Sequence, residues 1–164
     1  MQVMAAFAGR LAAVVPVLLL LGVHEALGQG TALTATGTQD LNFGTIFAGV
    51  PGQVLRTDAA NAGRFDLRGH PRSEVSVTFT LPAALTASGG RTIPLVFSPN
   101  DGGRNNQNNA TTATAFDPRV PLITDLGTPG RLFIYLGGRV TPSPTVTAGT
   151  YQATITLTSA YTGN

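Results

Sequence analysis

The chain has 164 residues, a formal net charge of +2 and 11% charged residues, and all ten basic residues are Arg. Charge this sparse and dispersed excludes a nucleic-acid surface, which needs a clustered basic stripe. Cys and Lys are both absent, so neither disulfides nor Lys–Asn isopeptide bonds can staple the fold, and stability must come from packing and sheet hydrogen bonds.

Taken in chain order, Arg10 precedes an uninterrupted apolar run, Leu11–Val23. This run matches the core of a secretory signal and falls short of the ~20 residues that span a bilayer. Ala26-Leu27-Gly28 offers small residues for cleavage before Gln29. The expectation is a cleaved signal peptide over residues 1–28 and one domain over residues 29–164. The product is exported to the periplasm, the cell surface or the medium, and keeps no stable membrane insertion. No Cys follows the apolar run, which excludes a lipid-anchored form.

Strands are expected at Ala32–Thr38, Gln53–Thr57, Arg64–Arg68, Val75–Leu81, Thr92–Phe97, Leu132–Val140 and Tyr151–Tyr161. A weaker one falls at Thr114–Phe116 or Val120–Thr124. In Val75–Leu81 the apolar set is Val75, Val77, Phe79 and Leu81, the period of two that marks a half-buried strand, and Pro82 ends it. Ala83–Ala87 is the one candidate for a helical turn. Pro99–Ala113 has no apolar periodicity and reads as a long exposed Asn/Gly-rich loop. Tyr151–Tyr161 alternates throughout, with Tyr151, Ile155, Leu157 and Tyr161 on one face and threonines on the other. Its eleven residues would span roughly 36 Å. Seven or eight strands with regular Gly, Pro, Asn and Asp punctuation predict an all-β, immunoglobulin-like antiparallel β-sandwich in a single domain.

Constellations for chemistry are sparse. His70, in Gly69-His-Pro71, is the only His after the signal, and a catalytic triad would need Asp58 or Asp66 to orient it. No Gly-x-Ser-x-Gly is present, and the remaining acids are scattered. Asn100-Asp101-Gly102-Gly103 offers oxygen ligands without the alternating Asp/Asn positions and terminal Glu of a calcium loop. No cofactor, metal site or catalytic residue is expected. Asn109-Ala-Thr111 fits a glycosylation acceptor. Phe43, Phe47, Phe65, Phe79, Phe97, Phe116 and Phe133 read as core. Tyr135 lies on the opposite face from Leu132, Ile134 and Leu136, which suits an aromatic contact for sugar or protein.

Two segments carry a resemblance. Asp40-Leu-Asn-Phe-Gly-Thr-Ile46 resembles the leading signature of the bacterial exported family catalogued as domain of unknown function (DUF) 4402. Leu136-Gly-Gly-Arg-Val140, followed by Ala148-Gly-Thr-Tyr151 and a Thr-rich closing strand, resembles its ending. That family is similar in turn to spore-coat-U-like and archaic chaperone–usher pilin domains, which share an early Phe-Gly (Phe43-Gly44) and a closing Gly-x-Tyr strand (Gly149, Tyr151, Tyr161). The resemblance implies an immunoglobulin-like sandwich lacking one strand, the gap being filled by a chaperone and then by the N-terminal strand of the next subunit.

On that reading Tyr151, Ile155, Leu157 and Tyr161 border a subunit groove, and Thr31–Thr38, with Leu33 and Ala35, is the donor. The same segment is alternatively the domain's own first strand. Pilins of these families usually carry a disulfide, which this chain lacks. The expected function is therefore a non-catalytic exported structural or cell-surface protein. It is either a pilin-like subunit with other copies of itself, a periplasmic chaperone and an usher as partners, or a self-complete binding module. In the second case Asn100, Asp101, Arg104, Asn105 and Asn106 would form a contact loop for surface glycan or protein. A secreted hydrolase is the third class.

Overall fold

The computed structural model describes residues 31–163, so the expected signal segment and the cleavage point before Gln29 lie outside the described residues. Twelve strands form among them. In chain order these are β1 (Thr34–Gln39), β2 (Gly52–Val54), β3 (Gly63–Arg68), β4 (Glu74–Thr80), β5 (Ala84–Thr86) and β6 (Thr92–Val96). They continue with β7 (Gly102–Asn105), β8 (Thr114–Phe116), β9 (Leu122–Asp125), β10 (Arg131–Leu136), β11 (Gly138–Val140) and β12 (Thr156–Tyr161). All strand pairs are antiparallel. The sheets run β1-β3-β10-β7-β8, β2-β11-β6-β5 and β12-β4-β9.

The fold is an all-β antiparallel sandwich, as the immunoglobulin-like reading expects, with more strands than the seven or eight read from the pattern. The first and third sheets face each other through Leu67, Val75, Val77, Leu132 and Ile134, all fully buried. Phe65, Phe79 and Phe116 close this core. Phe65 and Phe79 meet edge-on with ring centroids 5.8 Å apart, a favoured aromatic geometry. A second core gathers Ile93, Leu95, Phe97 and Val140 beneath the four-stranded sheet.

The surplus strands arise where long lines break. The expected Leu132–Val140 divides at Gly137 into β10 and β11. A Cβ there would lie 2.5 Å from the Val54 carbonyl oxygen and 2.6 Å from the Arg56 nitrogen, so the kink requires glycine. Both weaker candidates form, as β8 and β9. The Ala83–Ala87 turn is not helical: its centre is β5, paired with β6 from Ala84↔Pro94 to Thr86↔Thr92. A single helical turn cannot compete with a ladder offered by a neighbouring strand.

The eleven-residue closing strand is likewise interrupted. β12 pairs with β4 from Thr156↔Thr80 to Tyr161↔Val75, and Gln152 makes an isolated bridge to Thr86. Between these two stretches the partner line passes Pro82, which has no N–H to give a ladder.

The largest correction concerns Pro99–Ala113, which is not one exposed loop. Its Gly102–Asn105 part is β7, paired with β10 inside the five-stranded sheet. Residues 105–113 then fold over the outer face of β10, where Ala110, Ala113, Phe133 and Tyr135 form a third buried cluster. Polar hydrogen bonds shape this cover. Asn105 Oδ1 accepts from Gln107 N (3.0 Å) and Asn109 Oδ1 from Thr111 N (3.0 Å), while Asn105 Nδ2 donates to Asn109 O and Thr112 Oγ1, both at 2.9 Å. Tyr135 Oη donates to Asn108 Oδ1 at 3.0 Å. Tyr135 is thus buried, not the partly exposed contact residue expected, and β10 is covered on both faces.

Candidate functional site

Two sequence segments about a hundred residues apart meet across one cavity. Residues 39–48, which contain Phe43-Gly44, form one wall, and residues 142–155, which contain Gly149 and Tyr151, form the other. The groove between them encloses about 1040 Å³, and its lining includes Ile93, Leu95 and Leu136.

Local chemistry shapes each wall. Asn42 Oδ1 accepts a hydrogen bond from Gly44 N (2.8 Å), and Gly44 takes φ +64°, which turns the chain and aims Phe43 at the second core. Leu41 and Ile46 pack beside it. On the facing wall Tyr151 Oη donates to Thr147 O at 2.8 Å, and Val146, Tyr151 and Ile155 reach the same core. Gly49 N donates to Ser143 O at 3.1 Å and joins the walls at one end. Phe47 stands at the rim, 71% exposed. Among the described residues, Ala153 and Thr154 in the second wall make no backbone hydrogen bond. The groove therefore has an apolar floor and a stretch of open backbone at its edge.

The expected groove residues separate. Tyr151 and Ile155 line the cavity, whereas Leu157 packs on the first core. Tyr161 sits at the end of β12, outside the cavity and at the seam between the first and third sheets, where its Oη donates to Thr31 O (2.7 Å) and accepts from His70 N (2.7 Å). The donor or first-strand candidate pairs in this chain with β3, from Thr34↔Arg68 to Gln39↔Arg64. Leu33 is half-buried against the first core and Ala35 is exposed.

The expected contact-loop residues divide between contacts within the fold and the surface. Asp101 is buried and accepts from Ser98 N at 2.6 Å. Arg104 Nη1 donates to Thr124 Oγ1 at 2.9 Å, and Asn105 holds the cover described above. Asn100 and Asn106 remain exposed. Sequence reasoning missed the joining of Phe43, Ile46 and Val146 into one wall-and-floor unit. The family signatures were the signal available, but nothing in their spacing says that they face each other.

The His–Asp constellation is not assembled. His70 Nδ1 lies 3.1 Å from both Pro71 O and Ser73 Oγ. Asp58 accepts from Ala60 N, Asn61 N and Asn61 Nδ2, and the Asn61 side-chain bond is the chief cause of its lowered pKa. Asp66 is buried on β3 and accepts from Arg131 Nη2 (2.6 Å) and Arg68 Nη2 (2.9 Å). Burial pushes its carboxyl up, but the bonds and charges of Arg131 and Arg68 together outweigh this and hold it below the usual range. Arg131 also stacks over the Phe133 ring at 4.7 Å. Asp117 is paired with Arg119, whose hydrogen bonds lower its pKa to about 2. Among the described residues no group of three or more His, Cys, Asp or Glu is placed to hold a metal ion.

Neither the curated proteins nor the solved structures gave a match. A protein-family model, "Domain of unknown function (DUF4402)", matches residues 33–161, from Leu33 beside β1 to Tyr161 at the close of β12. Both walls of the groove fall within that span, and the chain belongs to the DUF4402 family.

Proposed function

We propose that this is a non-catalytic, exported structural or cell-surface subunit that joins to further copies of itself by strand addition. The observation that carries the reading is the open backbone of Ala153 and Thr154 beside the apolar groove. An extended segment laid there gains main-chain hydrogen bonds from the edge and side-chain burial from the floor, the two components of strand addition.

The exchanged segment is β1. It is an edge strand, and four of its six residues are Thr or Gly, all exposed. Leu33, just before it, is the one large apolar side chain it brings, worth about 1.5–3 kcal/mol even if fully buried. A strand held this lightly can leave its own β3 and dock in the groove of a neighbour. A periplasmic chaperone covering the open groove and an usher completing assembly are the accessory partners implied. The occupation of residues 105–113 in covering β10 favours this reading over a binding module working through that segment.

Purified residues 29–164 are expected to form SDS-resistant, heat-sensitive ladders, and deletion of Gln29–Thr38 is expected to abolish them. A monodisperse monomer at high concentration that melts cooperatively without partners overturns the proposal.

A further inference from the structure

Besides its ladder with β3 and the Thr34 and Thr38 hydroxyls that bond Arg68 O and Arg64 O, β1 is tied near each end by one longer side chain. At its C-terminal end Gln39 Nε2 donates to Ala62 O (2.7 Å) and Ala59 O (3.2 Å), next to a register shift between Gly37 and Gln39. At the N-terminal end the hold comes from the opposite sheet. Tyr161 closes β12 opposite Val75, so it shares the inward face of the third sheet with that fully buried residue. It reaches across the seam, donates from Oη to Thr31 O (2.7 Å), and accepts there from His70 N (2.7 Å).

The crossing depends on Gly69, just after β3. A Cβ at that position would collide with Tyr161 Oη and would lie 2.9 Å from Leu126 Cδ1 and 3.1 Å from Leu33 Cδ1. One missing side chain therefore leaves the space in which Tyr161, Leu33 and Leu126 meet. The backbone at Gly69 is not in the left-handed region, so the need for glycine there is one of room.

We propose that Tyr161 is a latch that sets how readily β1 leaves β3. β1 joins the body of the domain through residues 40–51, so release of the strand begins at the end Tyr161 holds. Breaking the two hydrogen bonds of one hydroxyl frees the Thr31 carbonyl and the His70 amide together. The use of the latch in assembly rests on the strand-exchange reading, but the latch itself is a property of the isolated chain.

Hydrogen exchange of β1 amides in residues 29–164, compared with those of β4 and β10, tests it. Tyr161→Phe is expected to raise β1 exchange about tenfold, the loss of one to two partly exposed hydrogen bonds, with β4 and β10 unchanged. Gly69→Ala should act in the same direction by displacing the ring. Tyr151→Phe, which removes the hydroxyl bonded to Thr147 O in the other wall, should leave β1 as it is. Unchanged β1 exchange in Tyr161→Phe, an equal rise in all strands, or an equal effect of Tyr151→Phe overturns the latch.

Mixing differently labelled copies then separates the two ideas. Faster β1 opening in Tyr161→Phe together with faster transfer between copies supports both. Faster opening with no transfer at any concentration keeps the latch and refutes strand exchange.

Discussion

Ala110→Asp tests whether residues 105–113 are a structural cover. Ala110 is 4% exposed and packs with Phe133 and Tyr135. A carboxylate cannot stay in that cluster without several kcal/mol of desolvation, so the cheaper response is for the cover to swing away. That exposes the outer faces of Phe133 and Tyr135, each worth roughly 1.5–3 kcal/mol when fully buried. It also breaks the Tyr135 Oη–Asn108 bond, worth about 1 kcal/mol net. The expected loss is about 3–5 kcal/mol, since the cover shields only one side of each ring. Urea denaturation followed by circular dichroism and tyrosine emission reads it as a fall in midpoint. Ala110→Ser serves as the uncharged control and is expected to lose no more than about 1 kcal/mol. A change for Ala110→Asp within about 0.5 kcal/mol of wild type, the usual range for surface positions, would refute the cover.

Two further outcomes follow from close contacts and from the buried ion pair. Gly137→Ala puts a methyl against the backbone of Val54 and Arg56, which cannot yield as a side chain does; a loss of about 3 kcal/mol and a melting temperature lower by roughly 10 °C are expected, and a fall under about 2 °C in a thermal melt contradicts the kink. Asp66→Asn removes the negative charge shared by Arg68 and Arg131 and one of the two oxygens they bond; their side chains are 62% and 36% exposed, so they rehydrate and the cost is about 1–2 kcal/mol, below the ~3–5 of a fully buried pair. The Asp66 pKa is lowered on folding, so its contribution is complete above the unfolded carboxylate value near ~3.9 and is lost as pH falls through the folded value. Wild type should therefore lose more stability than Asp66→Asn on titration from pH ~5 to pH ~2, and parallel pH profiles in denaturant titrations would contradict the assignment.

Much of the architecture was legible in local sequence. Alternation at Val75, Val77 and Phe79, and at Phe65 and Leu67, placed β4 and β3 with their inward faces, because a period of two is a property of each strand alone. The absence of Cys set the terms of stability, and the Asp40–Ile46 and Ala148–Tyr151 signatures pointed to the family. Other features depended on what stands opposite. The line from Tyr151 to Tyr161 is broken where its partner line passes Pro82, between β4 and β5.

Residues 99–113 are ordered although they lack apolar periodicity, since Asn105 and Asn109 bond within the segment while Asn108 accepts from Arg64 and Tyr135 of the folded sheet. The groove has the same origin. Phe43, Ile46, Val146 and Tyr151 each carry an ordinary apolar side chain, and only the antiparallel layout brings their two segments face to face. Sequence by itself determined which residues turn inward along each strand, because that is decided by nearest neighbours; tertiary structure alone decided which inward faces meet and which edges stay open, because those depend on segments a hundred residues away.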